Sequence, residues 1–330
     1  MENVVSDTVR ALADADFTHI ADSFANAGFK VRVPARGILQ LSSTSHMLRR
    51  PRLLLSVGIH GDETAPIEML AHVLDEFGHA PHRLAVDLMV VVGNLAAIAQ
   101  GTRFLEADMN RLFRSDRGEL HNTSEAARAD AIMRATATFF AGPDADKWHL
   151  DLHTAIRPSV YARFAVVPDV IAGPRKDALL GLLGRAGIEA VIMNTRPAGT
   201  YSAYTADMFG AASATVELGR VAALGSNDLS QFAAMREALD EILHTGRVPA
   251  GKESPQVFRV AQELVKHSEA FRMMLGRDAP NFTSMEPGSV IAQDGEVVYR
   301  VGEETEYAVF PNRDVRPGLR AGLMVVRDAS

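Results

Sequence analysis

The feature that most constrains this chain is an alternation. Through the first three quarters of the sequence, apolar runs of strand length are separated by segments of helical periodicity. RLLLSVGI (52–59) and LAVDLMVVVGN (84–94) read as buried strands. Between them, APIEMLAHVLDEF (65–77) places Ile67, Leu70, Ala71, Leu74 and Phe77 at helical spacing, with Pro66 in the first turn, where a missing N–H costs nothing. This is a β-α-β unit. Further strands are predicted at 148–154, 163–168, 189–194 and 214–219, and helices at 124–140, 175–186 and 228–244. The pattern predicts an α/β fold, with a sheet flanked by helices on both faces.

The character changes near residue 248. VPAGKESPQ (248–256) is rich in Pro, Gly and polar residues and reads as a linker, and strand-like segments with turn signals follow. Asp294-Gly295, between VIAQ and EVVYRV, signals a hairpin. We therefore expect an α/β domain over 1–250 and a small β-rich domain over 255–330, a division that 330 residues accommodate.

Bulk chemistry excludes several partners. A net charge of −7 gives no support for nucleic-acid binding or for an anionic membrane surface. An anionic substrate therefore needs positive charge concentrated locally. There are no cysteines, so no disulfide framework points to secretion, and any zinc must be held by His, Asp or Glu. The N-terminus lacks a basic segment followed by an apolar run, and the longest apolar candidate, LAVDLMVVVGNLAAIA, is interrupted by Asp87 and Asn94. The expected setting is the cytoplasm and the expected partner a small molecule.

Four stretches carry chemistry. In VGIHGDET, His60 and Glu63 follow a buried strand at i and i+3, at the carboxyl end where open α/β sheets bind ligands. HxxE also arises by chance. In WHLDLHT, strand alternation puts His149, Asp151 and His153 on one face, with His153 at the strand's mouth. His60, Glu63 and His153 together make a His₂Glu set, the ligand type of catalytic zinc. Asp151 is either an acceptor that orients a ligand imidazole or an ordinary buried carboxylate. In ATVELGR, Glu217 near the end of an apolar strand is either an ion-paired structural group or a general base. In GTRFLEADMNRLFR, Arg103, Asn110 and Arg111 suit carboxylate binding, or form a solvated basic loop. His72, His79 and His82 read as surface residues on and after the first helix rather than a second metal site.

GIHGDET, TRFLEADMNR, DLHTAIR and VELG, in this order, resemble the zinc carboxypeptidase superfamily, and more narrowly its aspartoacylase and succinylglutamate desuccinylase branch. HGDETAPIE and DLHTAIRPS look most like the desuccinylases. The resemblance implies a zinc-carboxypeptidase-like mixed sheet followed by the small β domain. It implies one zinc per subunit on His60, Glu63 and His153, Glu217 as the base, and Arg103, Asn110 and Arg111 on a substrate carboxylate. The implied reaction is hydrolysis of N-succinyl-L-glutamate to succinate and glutamate, the last step of arginine breakdown through succinylated intermediates. Aspartoacylase relatives carry a Tyr and an Arg before the catalytic Glu; here Tyr204 suits the first, but Asp207 stands near the second. Tyr307 falls too early to match their C-terminal Tyr. Arg157 is a candidate for a further substrate carboxylate, against a surface-loop role.

Overall fold

The structure, a computed structural model, describes residues 5–44, 50–142, 145–195, 199–249, 251 and 253–328. Ala250 and Lys252 of the expected linker lie outside the described residues. The strands are β1 (Lys30–Ala35), β2 (Ile38–Ser42), β3 (Arg52–Val57), β4 (Asp87–Val92), β5 (Lys147–Ala155), β6 (Phe164–Pro168), β7 (Ala190–Asn194) and β8 (Ala212–Arg220), then β9 (Gln256–Val265), β10 (Arg272–Met273), β11 (Thr283–Met285), β12 (Val290–Asp294), β13 (Val297–Arg300), β14 (Glu306–Val309) and β15 (Arg320–Arg327). The helices are α1 (Asp7–Ala13), α2 (Thr18–Asn26), α3 (Ala65–His79), α4 (Leu95–Gln100), α5 (Ser124–Phe139), α6 (Pro174–Arg185), α7 (Tyr201–Phe209) and α8 (Ala233–Thr245).

Twelve strands form one sheet in the order β1-β2-β4-β3-β5-β8-β6-β7-β9-β15-β14-β11. β4, β3, β5 and β8 are mutually parallel, so their carboxyl ends lie along one edge. β6 runs antiparallel to β8, and the N-terminal hairpin β1-β2 adds antiparallel to β4, which makes the sheet mixed. β9 pairs with β7 in parallel and with β15 antiparallel, so the sheet continues unbroken into the C-terminal segment. A second sheet, β10-β12-β13, packs there over its own apolar cluster.

Strand alternation sorts the core into two layers. Leu53, Leu55, Val57, Trp148, Leu150 and Leu152 face the layer under α3, α6 and α8. Leu54 and Ile59 face the layer under α5 and α7. On this second face β5 presents His149, Asp151 and His153, and β8 presents Ser213, Thr215 and Glu217 in register with them. All six are buried, a polar stripe crossing the sheet beneath α7.

The elements missed by periodicity have physical reasons. α7 carries few strong apolar residues, because Ser202 and Thr205 face the polar stripe rather than an oily layer. β1 is an edge strand interrupted by Pro34, a position that only an edge tolerates. The expected hairpin forms, with its two-residue tip at Gly295-Glu296 and Asp294 paired to Val297. Gly295 takes φ +60°, as the first tip position of such a turn requires.

Gly61 lies in the turn between β3 and α3, against α4. A Cβ there would lie 2.3 Å from the backbone of Ala97 and Ile98. Gly61→Ala should cost about 2 kcal/mol or more through this overpacking, read as a lowered thermal midpoint. Gly276→Ala, where a Cβ meets open space, should leave the midpoint unchanged.

Candidate metal centre

His60 and Glu63 lie in the turn between β3 and α3, beyond the carboxyl end of β3. His153 lies near the end of β5, and Glu217 is its register partner on β8. All four are buried. Among the described residues, His60, Glu63 and His153 form a group whose ligand atoms lie within 4.8 Å of one another.

Glu63 is the centre of this group. Its Oε1 lies 2.8 Å from His60 Nδ1 and accepts from Arg103 Nη1 at 2.7 Å. Its Oε2 lies 2.7 Å from His153 Nδ1 and accepts from the Thr154 N–H at 3.1 Å. Burial alone would raise this carboxyl, but the charges and hydrogen bonds of His60 and His153 hold it well below its usual range. Both imidazoles therefore turn Nδ1 inward. Each gives Nε2 to an outer carboxylate: His153 to Asp151 Oδ2 at 2.9 Å and His60 to Asp108 Oδ1 at 3.0 Å. An Nε2–H directed to a carboxylate leaves the Nδ1 lone pair for a metal, the usual second layer of a histidine metal site.

Asp108 escaped the sequence reading although it lies within ADMNR. It caps the short turn Met109–Arg111 by accepting from the Asn110 N–H at 2.9 Å. The loop that carries Arg103 and Asp108 is fixed from beneath. Buried Glu125 accepts from the Leu105 N–H at 2.8 Å, and the Gly61 N–H donates to the Arg103 carbonyl at 3.0 Å.

Glu217 differs from Glu63 in one respect. Its Oε2 is buried and has no hydrogen-bond partner among the described residues. Burial first, then the negative charge of Glu63, raises its carboxyl to about 7, against the opposing charges of His153, Arg103 and His60. The unpartnered buried oxygen of Glu217 stands beside two imidazoles and the carboxylate of Glu63. That donor set fits a divalent cation bound through nitrogen and oxygen.

The arginines divide. Arg103 is ion-paired to Glu63 with its side chain 32% exposed. Asn110 is buried, its amide nitrogen 3.4 Å from His153 Nε2 and its Oδ1 accepting from the Tyr201 N–H. Arg111, 46% exposed, lies 3.7 Å from Asp108. Arg320, from the start of β15, joins this edge and went unread in the sequence. Burial, then the charge of nearby Arg111, lowers its guanidinium, while Glu263 and Asp108 oppose that shift.

Other candidates go elsewhere. Arg157 donates to the carbonyls of Arg277 and Ala279, tying the loop after β5 to the C-terminal segment. The Tyr204 hydroxyl donates to the Met133 carbonyl on α5, and Asp207 is exposed. Tyr307 packs against Phe258 beneath Arg327. His79 and His82 are exposed and His72 half-buried.

At its strand ends the mixed α/β sheet carries a buried His-Glu-His group and a glutamate with a raised pKa, an arrangement suited to hydrolytic chemistry. Residues 49–243 match the Succinylglutamate desuccinylase/Aspartoacylase catalytic domain, and residues 253–328 match the AstE/AspA barrel-sandwich hybrid domain. The chain belongs to the succinylglutamate desuccinylase/aspartoacylase family. It is 42% identical over 279 residues to a succinylglutamate desuccinylase of Burkholderia orbicola strain MC0-3, covering 84% of this chain and 81% of the relative. A succinylglutamate desuccinylase of Paraburkholderia xenovorans strain LB400 is 41% identical over 277 residues, covering 83% and 81%. The crystal structure of succinylglutamate desuccinylase from Vibrio cholerae superposes with a TM-score of 0.82 at 31% identity, covering 94% of each chain. Murine aminoacylase 3 shares the fold at 18% identity and a TM-score of 0.57, covering 85% of this chain and 96% of that one.

The raised Glu217 carboxyl has a stability consequence in metal-free protein. Folding lifts it from 4.5 to about 7, so the folded state holds a proton that the unfolded state releases. The penalty is absent below pH 4.5, grows as pH rises and is complete above about pH 7. Glu217→Gln, which cannot ionise, should therefore stabilise the metal-free protein above pH 7 by up to roughly 3 kcal/mol and change nothing at pH 4. Denaturant titrations at the two pH values read this directly.

Proposed function

We propose that this chain is a zinc-dependent amidohydrolase cleaving N-succinyl-L-glutamate to succinate and L-glutamate, acting in the cytoplasm as the last step of arginine catabolism by the succinyl pathway. The observation that carries this reading is the buried His60-Glu63-His153 group with the unpartnered oxygen of Glu217 on the adjacent strand. The desuccinylase relatives support the choice of substrate. We propose the same division of labour as in the sequence, with residues 1–250 catalytic and 255–330 an added β-rich domain.

His60 and His153, through Nδ1, and Glu63 would hold one zinc per subunit. Zinc bound there supplies Lewis acidity, which lowers the pKa of water toward about 7 and polarises the succinyl carbonyl. Glu217 takes the proton of the attacking water and delivers it to the leaving amine nitrogen of glutamate. Its raised pKa suits it to hold that proton near neutrality. Arg103, Asn110 and Arg111 bind substrate carboxylate, and Arg103 helps to stabilise the tetrahedral oxyanion. Arg320 beside Arg111 adds a third guanidinium where a multiply anionic substrate needs one.

Release of glutamate from N-succinyl-L-glutamate should depend on zinc and exceed release from N-acetylglutamate and turnover of N-acetylaspartate. Preference for an acetyl compound would keep the chemistry and move the substrate. Glu217→Gln should retain stoichiometric zinc and lose about 10²–10⁴-fold in kcat, whereas His153→Ala should lose the metal. Near-normal turnover by the first variant, or full zinc content in the second, would refute the corresponding assignment.

A further inference from the structure

Behind His153, on the side away from Glu63, the polar stripe continues into the core. Asp151 Oδ1 accepts from the Ser56 hydroxyl at 2.5 Å. The same Ser56 oxygen lies 2.8 Å from His149 Nε2, and His149 Nδ1 lies 2.8 Å from Thr205 Oγ1. Ser56, His149, Asp151 and Thr205 are all fully buried, at 0% exposure. They come from β3, β5 and α7, and register pairs Ser56 with Asp151 and Leu54 with His149.

Donor and acceptor counting fixes the direction of this chain. A carboxylate only accepts, so Ser56 spends its one hydrogen on Asp151. The Ser56 oxygen must then accept from His149 Nε2–H. Burial keeps the His149 imidazole neutral, lowering it to about 3. Its Nδ1 therefore accepts, and the donor is the Thr205 hydroxyl. That hydroxyl also lies 3.0 Å from the Ser202 carbonyl, which is left as the weaker alternative. Every proton in the chain points toward Asp151, whose other oxygen receives His153 Nε2.

We propose that Ser56 and His149 are positioning residues which, with Thr205, form a one-directional relay that fixes the Asp151 carboxylate and so holds the Nδ1 lone pair of His153 toward the metal. The inference rests on the zinc reading above. A purely structural role is the competing account, since buried polar groups must be hydrogen-bonded in any case. The two differ in what they move. A structural network changes unfolding, whereas the relay changes the ligand strength of His153.

The test is zinc affinity by competition with a chromophoric chelator, on the full chain, together with the absorption spectrum of the cobalt-substituted protein. Ser56→Ala removes the donor to Asp151 and leaves the His149 N–H without an acceptor. His149→Leu breaks the relay one step further back. Both should weaken zinc about tenfold or more, by the scale of outer-layer partners of metal ligands, and should shift the cobalt spectrum. His149→Gln, which keeps a donor toward Ser56, should recover most of the affinity. Ser56→Ala removes a single oxygen, so it reports even if His149→Leu fails to fold. Unchanged affinity and spectrum in Ser56→Ala, with wild-type protein binding zinc tightly, would overturn the relay alone. Failure of the wild-type protein to bind zinc would overturn the functional reading and the relay together.

Discussion

Glu63 has almost no access to water, and four donors converge on its two oxygens: His60, Arg103, His153 and the Thr154 N–H. Taking an isolated carboxylate out of water costs several kcal/mol. Hydrogen bonds to a charged group return about 1.5–3 kcal/mol each, so only a nearly saturated Glu63 is tolerable there. That requirement brings the β3–α3 turn, the end of β5 and the Arg103 loop to one point. The candidate metal site and the local fold are therefore the same set of bonds. A cation would replace the imidazole protons as the positive partner of Glu63 without rearranging the elements that carry them.

The convergence depends on register. Adjacent parallel strands paired residue to residue point the paired side chains to the same face. Ser56 with Asp151, and His153 with Glu217, are such pairs. The stripe is thus written along single strands as a period of two, which is why it is legible in WHLDLHT without any structure. A one-residue slip of β5 would send His149, Asp151 and His153 into the apolar layer now filled by Leu150 and Leu152. The leucines oppose that slip as strongly as the polar partners do.

The parts that escaped the sequence are those set by contacts between distant segments. His60, Glu63, His153 and Glu217 announce themselves because each interrupts or ends an apolar run. Asp108 does not, since its meaning depends on a loop folding back onto the β3–α3 turn, and it reads as one more loop acid. Arg320 sits on a strand whose place beside Arg111 follows only once β9 has joined β7 and β15 has joined β9. Arg157 shows the converse. Its closeness in sequence to His153 suggests the site, but the carbonyls of Arg277 and Ala279 claim its guanidinium. Local periodicity carries the sheet and the ligand strand; second-layer and rim residues belong to tertiary topology.

Two glutamates on the same side of the sheet carry opposite electrostatic fates. Burial raises both. For Glu63 the neighbouring imidazoles and their hydrogen bonds outweigh it, and the carboxyl falls well below its usual range. For Glu217 no donor among the described residues reaches Oε2, Glu63 adds a like charge, and the carboxyl rises to about 7. Pairs of acids pushed apart in this way mark distinct roles in a site. The lowered one is suited to permanent coordination, because its imidazole neighbours and their hydrogen bonds favour its charged form. The raised one is suited to exchanging a proton, because its two states lie close in free energy near neutrality. Saturating Glu217 with donors would stabilise its charge and make it a poor base. Its unpartnered oxygen is therefore a cost in stability that the proposed chemistry requires.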